Sequence, residues 1–277
     1  MPRDSEPRCD LHTHTKASDG FLAAPELLAE ARGAGLAAVA ITDHDTVSGL
    51  SAALAAAADA GVEVVPGVEL SCALGRAEVH ILGYYPGDPD AIEAACAAVR
   101  EHRHVRMREM VEKAMGLGLG VSYEEVAALA EGESVGRPHL ARLLVDKGIV
   151  PSMQTAFDRY LSDGGAAYVP KKRLTAAEGI GLIRDAGGVP VLAHPGVNGV
   201  DKHLEAILDL GIRGIEATYS MHTEGQRARF LAFAQRHDLV VTGGSDYHGD
   251  PSHGRTRGEP SVPMERLDAL KAAAGVA

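Results

Sequence analysis

The chain of 277 residues lacks several features that would assign it to a particular class of protein. Its three cysteines, Cys9, Cys72 and Cys96, form no CxxC pair, so they indicate neither a disulfide framework nor a thiolate zinc site. The longest uncharged, Ala-rich run, residues 46–58, is too short and too broken by Ser and Gly to span a bilayer, and the charged N-terminus lacks the apolar stretch of a signal peptide. We therefore expect a cytoplasmic protein.

The chain contains no tryptophan, and it has fewer positively charged than negatively charged residues. There are 27 Lys and Arg residues and 38 Asp and Glu residues, which gives a formal net charge of −11. This balance argues against stable binding of duplex nucleic acid or of an anionic membrane. A small anionic substrate remains compatible with it, because bound metal ions reverse the sign of the local field.

Strand-like apolar runs alternate with helical spacing in the first 84 residues and again after residue 174, which predicts an α/β fold with a parallel sheet and outer helices. Between residues 90 and 174 only helical patterns occur. We therefore predict a barrel domain formed by residues 1–89 and 175–277, and a helical insertion, residues 90–174, that covers the active site. The seven predicted strands are residues 9–11, 36–41, 62–68, 78–84, 189–193, 214–218 and 239–242.

Most of these strands carry an imidazole or a carboxylate at or near one end. In an extended chain His12 and His14 project to the same face. Taken singly, each such residue has an ordinary structural explanation; His80, for example, could be a hydrogen-bonded core histidine. Taken together, they can converge only if a cation compensates them. The set comprises His12, His14, Asp19, His44, Glu69, His80, His194, Asp246 and His248.

Imidazole and carboxylate without thiolate suit Zn²⁺, Mn²⁺ or Fe²⁺. Nine ligands exceed what one ion needs, so we predict two or three divalent ions, with a carboxylate such as Glu69 bridging two of them. Barrels of alternating strands and helices place their chemistry at the carboxyl ends of the strands.

Several segments resemble the motifs of the PHP (polymerase and histidinol phosphatase) phosphoesterases in order and spacing. They are His12-Thr-His14, Thr42-Asp-His-Asp45, Pro66-Gly-Val-Glu69, His80, His194-Pro-Gly196 and Gly244-Ser-Asp-Tyr-His248. The resemblance implies a distorted seven-stranded (β/α) barrel with a trinuclear metal site. It implies one metal on His12, His14, Glu69 and Asp246, a second on Glu69, His80 and His194, and a third on Asp19, His44 and His248.

Asp19 departs from the commonest family pattern, in which a histidine follows the His-x-His pair. Members that carry an aspartate there, and a helical insertion after the fourth strand, resemble the subgroup that acts on nucleotides. The resemblance thus implies a phosphatase that hydrolyses a phosphate monoester of a small nucleotide, a 3′,5′-bisphosphate or a 5′-monophosphate. A hydroxide that bridges the metals would attack phosphorus in line.

Three alternatives remain open: a 5′-to-3′ exoribonuclease acting on short RNA, a histidinol-phosphate-type phosphatase, and a non-catalytic metal-binding partner module. For catalysis beyond metal binding we consider His222 and His139 as proton donors, beside Asp246. For substrate binding we consider Arg137, His139, Lys172 and His222, because Arg137 and His139 lie at a predicted helix start, where an anion is stabilised.

Overall fold

The computed structural model describes residues 6–129, 135–170, 173–197, 199–249 and 258–276. The chain forms two compact units, one comprising Met1–Ala95 with Leu174–Ala277 and the other Cys96–Arg173. Within the described ranges, no helix combines the length and the apolar character needed to cross a membrane.

The first unit is built on one twisted sheet. In the described part of the chain, its strands are β1 (Arg8–Asp10), β2 (Leu36–Ile41), β3 (Glu63–Leu74), β4 (Ala77–Tyr84), β5 (Leu174–Thr175), β6 (Val189–Leu192), β7 (Gly214–Tyr219), β8 (Val240–Gly244) and β9 (Val262–Pro263). The seven strands expected from the sequence are present, and the two-residue strands β5 and β9 are additional.

The sheet has the order β8-β7-β6-β4-β3-β2-β1-β9, with β5 paired to β3. The segment after β1 also hydrogen bonds to the end of β8: Leu11 N donates to Gly243 O over 3.2 Å and Asp246 N donates to His12 O over 2.9 Å. The sheet is thereby curled into a nearly closed barrel. This confirms the predicted α/β class and the distorted barrel.

The orientation of β4 differs from the expected parallel sheet. β4 pairs antiparallel with both β3 and β6, whereas β1, β2 and β3 pair in parallel, as do β6, β7 and β8. Only the tight turn at Gly75 and Arg76 connects β3 to β4, and a connection of that length permits an antiparallel pair alone. This hairpin is what distorts the barrel.

Six α-helices of the described residues, together with a short 3₁₀ helix at Val200–His203, belong wholly to the first unit. Leu267 and Leu270 of α10 belong to a buried hydrophobic cluster that also contains Cys9, Leu11 and Val191 of the barrel. The helices are α1 (Ala24–Gly33), α2 (Leu50–Ala60), α7 (Ala176–Asp185), α8 (Leu204–Asp209), α9 (Glu224–Arg236) and α10 (Met264–Ala274).

The second unit is helical in its described residues. It contains the part of α3 (Pro89–Gly116) from Cys96 onward, then α4 (Tyr123–Leu129), α5 (Arg137–Asp146) and α6 (Met153–Ala156), with a π-helical turn at Phe157–Leu161. The unit has a hydrophobic cluster of its own, centred on fully buried residues such as Met110, Leu140 and Leu144. It therefore has a core independent of the barrel.

Candidate metal centre

His12 and His14 lie directly after β1 and are both fully buried. Their ring centroids are 5.1 Å apart. His12 Nε2 lies 3.1 Å from Glu69 Oε2, and His14 Nε2 lies 2.9 Å from Asp246 Oδ1 and 3.3 Å from Glu69 Oε2. The alternation of an extended chain thus directs both rings to one place, as the sequence predicted.

Glu69 is the centre of the cluster. Its carboxylate is fully buried, and among the described residues five imidazoles approach it. Oε1 lies 2.8 Å from His80 Nδ1 and 3.0 Å from His194 Nε2, whereas Oε2 faces His12, His14 and His44. Each oxygen therefore has its own set of nitrogen neighbours, an arrangement suited to a carboxylate that bridges two ions.

Backbone hydrogen bonds bring the segment after β2 to this carboxylate. Glu69 N donates to Asp43 O over 3.1 Å, and Asp45 N donates to Glu69 O over 2.9 Å. This short parallel bridge sets His44 beside Glu69, with Nδ1 3.2 Å from Oε2.

A further group surrounds Asp19, in the loop after the two histidines. His248 Nε2 lies 3.3 Å from Asp19 Oδ1, and His44 Nε2 lies 3.9 Å from Asp19 Oδ2. The ring of His14 stacks on those of His44 and His248 at centroid distances of 4.5 and 4.2 Å. The side chain of Asp19 is more than half exposed, so this side of the cluster is open to solvent.

Clusters of potential ligand atoms within 4.8 Å of one another occur three times in the described residues. They are His12, His14, Glu69 and Asp246; His44, Glu69 and His80; and His14, Asp19, His44 and His248. The first equals one expected ligand set, and the third adds His14 to another. His194 is in none of the three, although its Nε2 contacts Glu69.

Buried nitrogens without a hydrogen bond show that this cluster fits metal ions. In the described residues, His14 Nδ1, His14 Nε2 and His44 Nδ1 are buried and make no hydrogen bond. Two of them lie 2.9–3.3 Å from carboxylate oxygens, yet outside hydrogen-bond geometry. Lone pairs and carboxylates that converge without sharing protons are the donor set of a divalent cation.

The electrostatics of the cluster follow from burial and from mutual proximity. Burial lowers the pKa of His14 to about 4. Burial also opposes the charge of His80, but the carboxylate of Glu69 outweighs it and raises the pKa of His80 to about 10. For Glu69, burial is outweighed by His44, His12 and His80, which hold its pKa well below its usual range. The fold thus keeps Glu69 ionised, and the buried carboxylate needs positive charge around it.

Five non-glycine residues in the described part of the chain have positive φ, and three of them lie at the cluster: Asp45 at 51°, His194 at 24° and Asp246 at 55°. Such backbone conformations cost of order 1–3 kcal/mol each and persist where the surroundings determine them. The other two, Tyr85 and Asp238, belong to none of the ligand groups described above.

Buried side chains that the sequence did not single out hold the cluster in place. Glu216 in β7 is fully buried and contacts His12, and the hydroxyl of Tyr219 donates to Asp246 Oδ2 over 2.9 Å. Asp43 accepts hydrogen bonds from Thr15 N and from the hydroxyl of Ser18, which fixes the loop that carries Asp19. The sequence did contain one signal for Glu216, because it is a charged residue inside an otherwise apolar predicted strand.

The remaining predicted residues lie elsewhere. His222 Nδ1 donates to Ala217 O over 3.0 Å, and His222 Nε2 accepts from Gly196 N over 3.1 Å. Both ring nitrogens are thus engaged with the backbone, and burial lowers the pKa of His222. His139 and Arg137 belong to the helical unit, where His139 Nδ1 accepts from Gly136 N and Arg137 donates to Leu161 O. Lys172 lies outside the described residues.

The chain is similar to known proteins in sequence and in structure. The PHP domain model matches residues 10–162. A 3′,5′-nucleoside bisphosphate phosphatase of Chromobacterium violaceum is 37% identical over 257 residues, which are 90% of each chain. A 5′-3′ exoribonuclease of Haemophilus influenzae is 36% identical over 86% of this chain and 89% of its own. A crystal structure described as a metal-dependent phosphoesterase of Bifidobacterium adolescentis superposes with a TM-score of 0.72 and 34% identity over 95% of each chain.

Proposed function

The chain belongs to the PHP domain family, and on that premise we propose that it hydrolyses a phosphate monoester of a small nucleotide with the help of divalent metal ions. The observation that carries the proposal is the fully buried carboxylate of Glu69 with five imidazoles around it in the described residues. A buried cluster of this kind has little structural value by itself, because each desolvated polar group costs free energy unless a cation or a proton compensates it.

The proposed ligands fall into three sets that share Glu69 or lie beside it. Glu69 Oε2 and Oε1 face different imidazoles, which supports a bridging role. We assign one ion to His12, His14, Glu69 and Asp246, a second to Glu69, His80 and His194, and a third to Asp19, His44 and His248. Two or three ions of Mn²⁺, Zn²⁺ or Fe²⁺ suit these nitrogen and oxygen donors.

Bound divalent ions would supply Lewis-acid stabilisation of the charge on phosphoryl oxygens and would activate water as the nucleophile. The residues of the chain supply the rest. Asp246 and Glu69 stay ionised in the fold, because neighbouring imidazoles hold the pKa of each carboxyl low. Tyr219 orients Asp246, and Glu216 orients His12. Asp19 and His248 lie on the more exposed side, where an anionic substrate can enter.

His222 has a different proposed role from the one that the sequence indicated. Because its Nδ1 proton is donated to Ala217 O and its Nε2 accepts from Gly196 N, we assign it to holding the turn after His194 in place. Arg137, His139 and Lys172 stay predicted substrate contacts, with His139 also a predicted proton donor. The similarity to a nucleoside bisphosphate phosphatase over 90% of both chains supports a nucleotide with two phosphates as substrate.

The test is phosphate release by Mn²⁺-loaded protein from 3′,5′-bisphosphoadenosine, AMP and histidinol phosphate. We expect the nucleotides to be hydrolysed and Asp246→Asn to abolish release, because Asp246 lies 2.9 Å from His14 Nε2 within the first ligand set. Asp185→Asn, on the surface of α7, is the matched control and should keep full activity. Release from histidinol phosphate alone would replace the nucleotide assignment, and no release from any substrate by metal-loaded protein would favour a non-catalytic metal-binding module.

A second candidate is supported by the similarity to a 5′-3′ exoribonuclease over 86% of this chain. The same metal centre would then act on the 5′ end of short RNA. A 5′-phosphorylated RNA trimer separates the two functions, because an exonuclease shortens it one nucleotide at a time. A phosphatase releases inorganic phosphate and leaves a trimer of unchanged length.

A further inference from the structure

β7 contributes no residue to the ligand sets proposed above, yet two of its side chains contact ligands that come from other strands. Glu216 contacts His12, which follows β1, and the backbone of His194, which follows β6. Tyr219 contacts Asp246, which follows β8. One strand thus connects the ends of three others.

Glu216 is a charged side chain with no exposure to solvent. Its Oε1 lies 3.0 Å from His12 Nδ1, and its Oε2 accepts a hydrogen bond from His194 N over 2.8 Å. A buried carboxylate is costly unless both oxygens are engaged with donors. The buried carboxylate of Glu216 is therefore stabilised by the ring of His12 and by the backbone N–H of His194.

The contact with Glu216 determines which nitrogen of His12 carries the proton. A carboxylate accepts hydrogen bonds and has no proton to donate, so His12 Nδ1 must be the N–H donor. The opposite nitrogen, Nε2, faces Glu69 and Asp246 at 3.1 and 3.5 Å, so it is the ring nitrogen that a metal ion could take in place of a proton. With Nδ1 held by Glu216, the tautomer that His12 adopts when it binds a metal ion is the one that ligates through Nε2.

A β-bulge explains how residues 216 and 219 both reach the cluster. Three residues apart in a regular strand, their side chains would point to opposite faces of the sheet. In β7, Glu216 pairs with Thr242 and Thr218 pairs with Gly243, so Ala217 is the extra residue of a bulge. The carbonyl of Ala217 accepts the hydrogen bond of His222 Nδ1. The irregularity thus places Glu216 and Tyr219 on the same side.

We propose that β7 is the positioning element of the metal centre, in which Glu216 fixes the tautomer of His12 and the backbone of His194, and Tyr219 orients the carboxylate of Asp246. The inference rests on the proposed metal-dependent function. Outer partners of metal-bound histidines typically contribute 10–100-fold to metal affinity. Substitutions of Glu216 and Tyr219 should therefore lower the affinity of the centre for metal ions.

The test is equilibrium binding of Mn²⁺ to the metal-free full chain, measured from the paramagnetic resonance signal of the free ion. The variant Glu216→Gln keeps the size of the side chain but offers one acceptor and one donor where two donors face it. One of the contacts, to His12 Nδ1 or to His194 N, must then be lost. We expect Mn²⁺ affinity to fall about 10–100-fold, and about tenfold in Tyr219→Phe.

Matched controls separate this role from ordinary stability. Glu93→Gln changes a carboxylate that accepts hydrogen bonds from Val47 N and from the hydroxyl of Thr46, neither of which belongs to a proposed ligand. Tyr84→Phe removes a buried hydroxyl that donates to Leu11 O. Both controls should bind Mn²⁺ with wild-type affinity, whatever their effect on the melting temperature of the metal-free protein.

Two outcomes would overturn the proposal in distinguishable ways. If Glu216→Gln and Tyr219→Phe melt earlier but bind Mn²⁺ like the wild type, β7 has a merely structural role and the proposed function stands. If the wild-type protein itself binds no Mn²⁺ or Zn²⁺, the metal-dependent function fails, and the positioning role fails with it.

Discussion

At the scale of single residues, Gly244 shows how closely the barrel closes around the metal centre. A Cβ on Gly244 would lie 2.5 Å from the backbone N and from the Cβ of His12. The backbone at His12 cannot yield as a flexible side chain would. We expect Gly244→Ala to lower the free energy of unfolding by about 1–3 kcal/mol and to weaken metal binding, because His12 must move.

The matched control for this substitution is Gly181, in the interior of α7, where a Cβ would meet nothing within 4 Å. Gly181→Ala should raise the free energy of unfolding by about 1 kcal/mol, since glycine is a poor helix former. Urea titrations of the two variants check both values. Equal effects of the two substitutions would contradict the close packing described at Gly244.

Cys9 provides a pH-dependent prediction away from the ligands. Burial, followed by the nearby charge of Asp10, raises the pKa of the Cys9 thiol from 9.0 to about 12. Between pH 9 and 12 the unfolded chain therefore releases a proton that the folded chain retains, and this group makes the protein less stable as the pH rises through that window. Below pH 9 its contribution is constant.

Cys9 should accordingly resist alkylation in the folded protein, because only a thiolate reacts and only a minute fraction, roughly one in ten thousand, is ionised at pH 8. Iodoacetamide followed by mass spectrometry of the peptide that contains Cys9 checks this result. The urea-unfolded chain is the control and should react within minutes. Equal rates in both states would show that Cys9 is accessible.

At the scale of elements, α7 begins with a reciprocal cap. The hydroxyl of Thr175 accepts from Glu178 N over 3.2 Å, and Glu178 Oε2 accepts from Thr175 N over 2.7 Å. We expect Thr175→Ala to cost about 1 kcal/mol of stability, because a helix N–H loses its acceptor. Thr175→Ser keeps the hydroxyl and should stay within a few tenths of a kcal/mol of the wild type. If Thr175→Ser were destabilised as much as Thr175→Ala, the loss of stability would come from the packing of the methyl group and not from the cap.

Elements with a strong local signal could be predicted from the sequence. The capping residues of α7 and the apolar runs of β2 and β6 are local, and the structure contains them where expected. Strand direction is not local: β4 has the same kind of sequence as a parallel strand, and only its short turn to β3 reverses it. The role of Glu216 could not be predicted either, because its partners lie more than 20 residues away along the chain.

At the scale of the whole molecule, each unit has a hydrophobic cluster of its own. Leu140 is fully buried in the cluster of the helical unit. Leu140→Ala should cost about 2–5 kcal/mol there through lost contacts and a cavity. We expect hydrogen exchange to accelerate for amides of residues 107–167 and to change little for β2, β3 and β6. An equal acceleration throughout the chain would show that the two units unfold as one.

The central claim, that Glu69 organises a cluster of metal ions, also concerns the whole molecule. The most direct measurement is the number of divalent ions bound per chain, determined by elemental analysis of the wild type and of Glu69→Gln after dialysis with Mn²⁺. We predict two or three ions in the wild type and a loss of at least two in the variant, because Glu69 belongs to two of the ligand groups among the described residues. An unchanged metal content in Glu69→Gln would contradict the account.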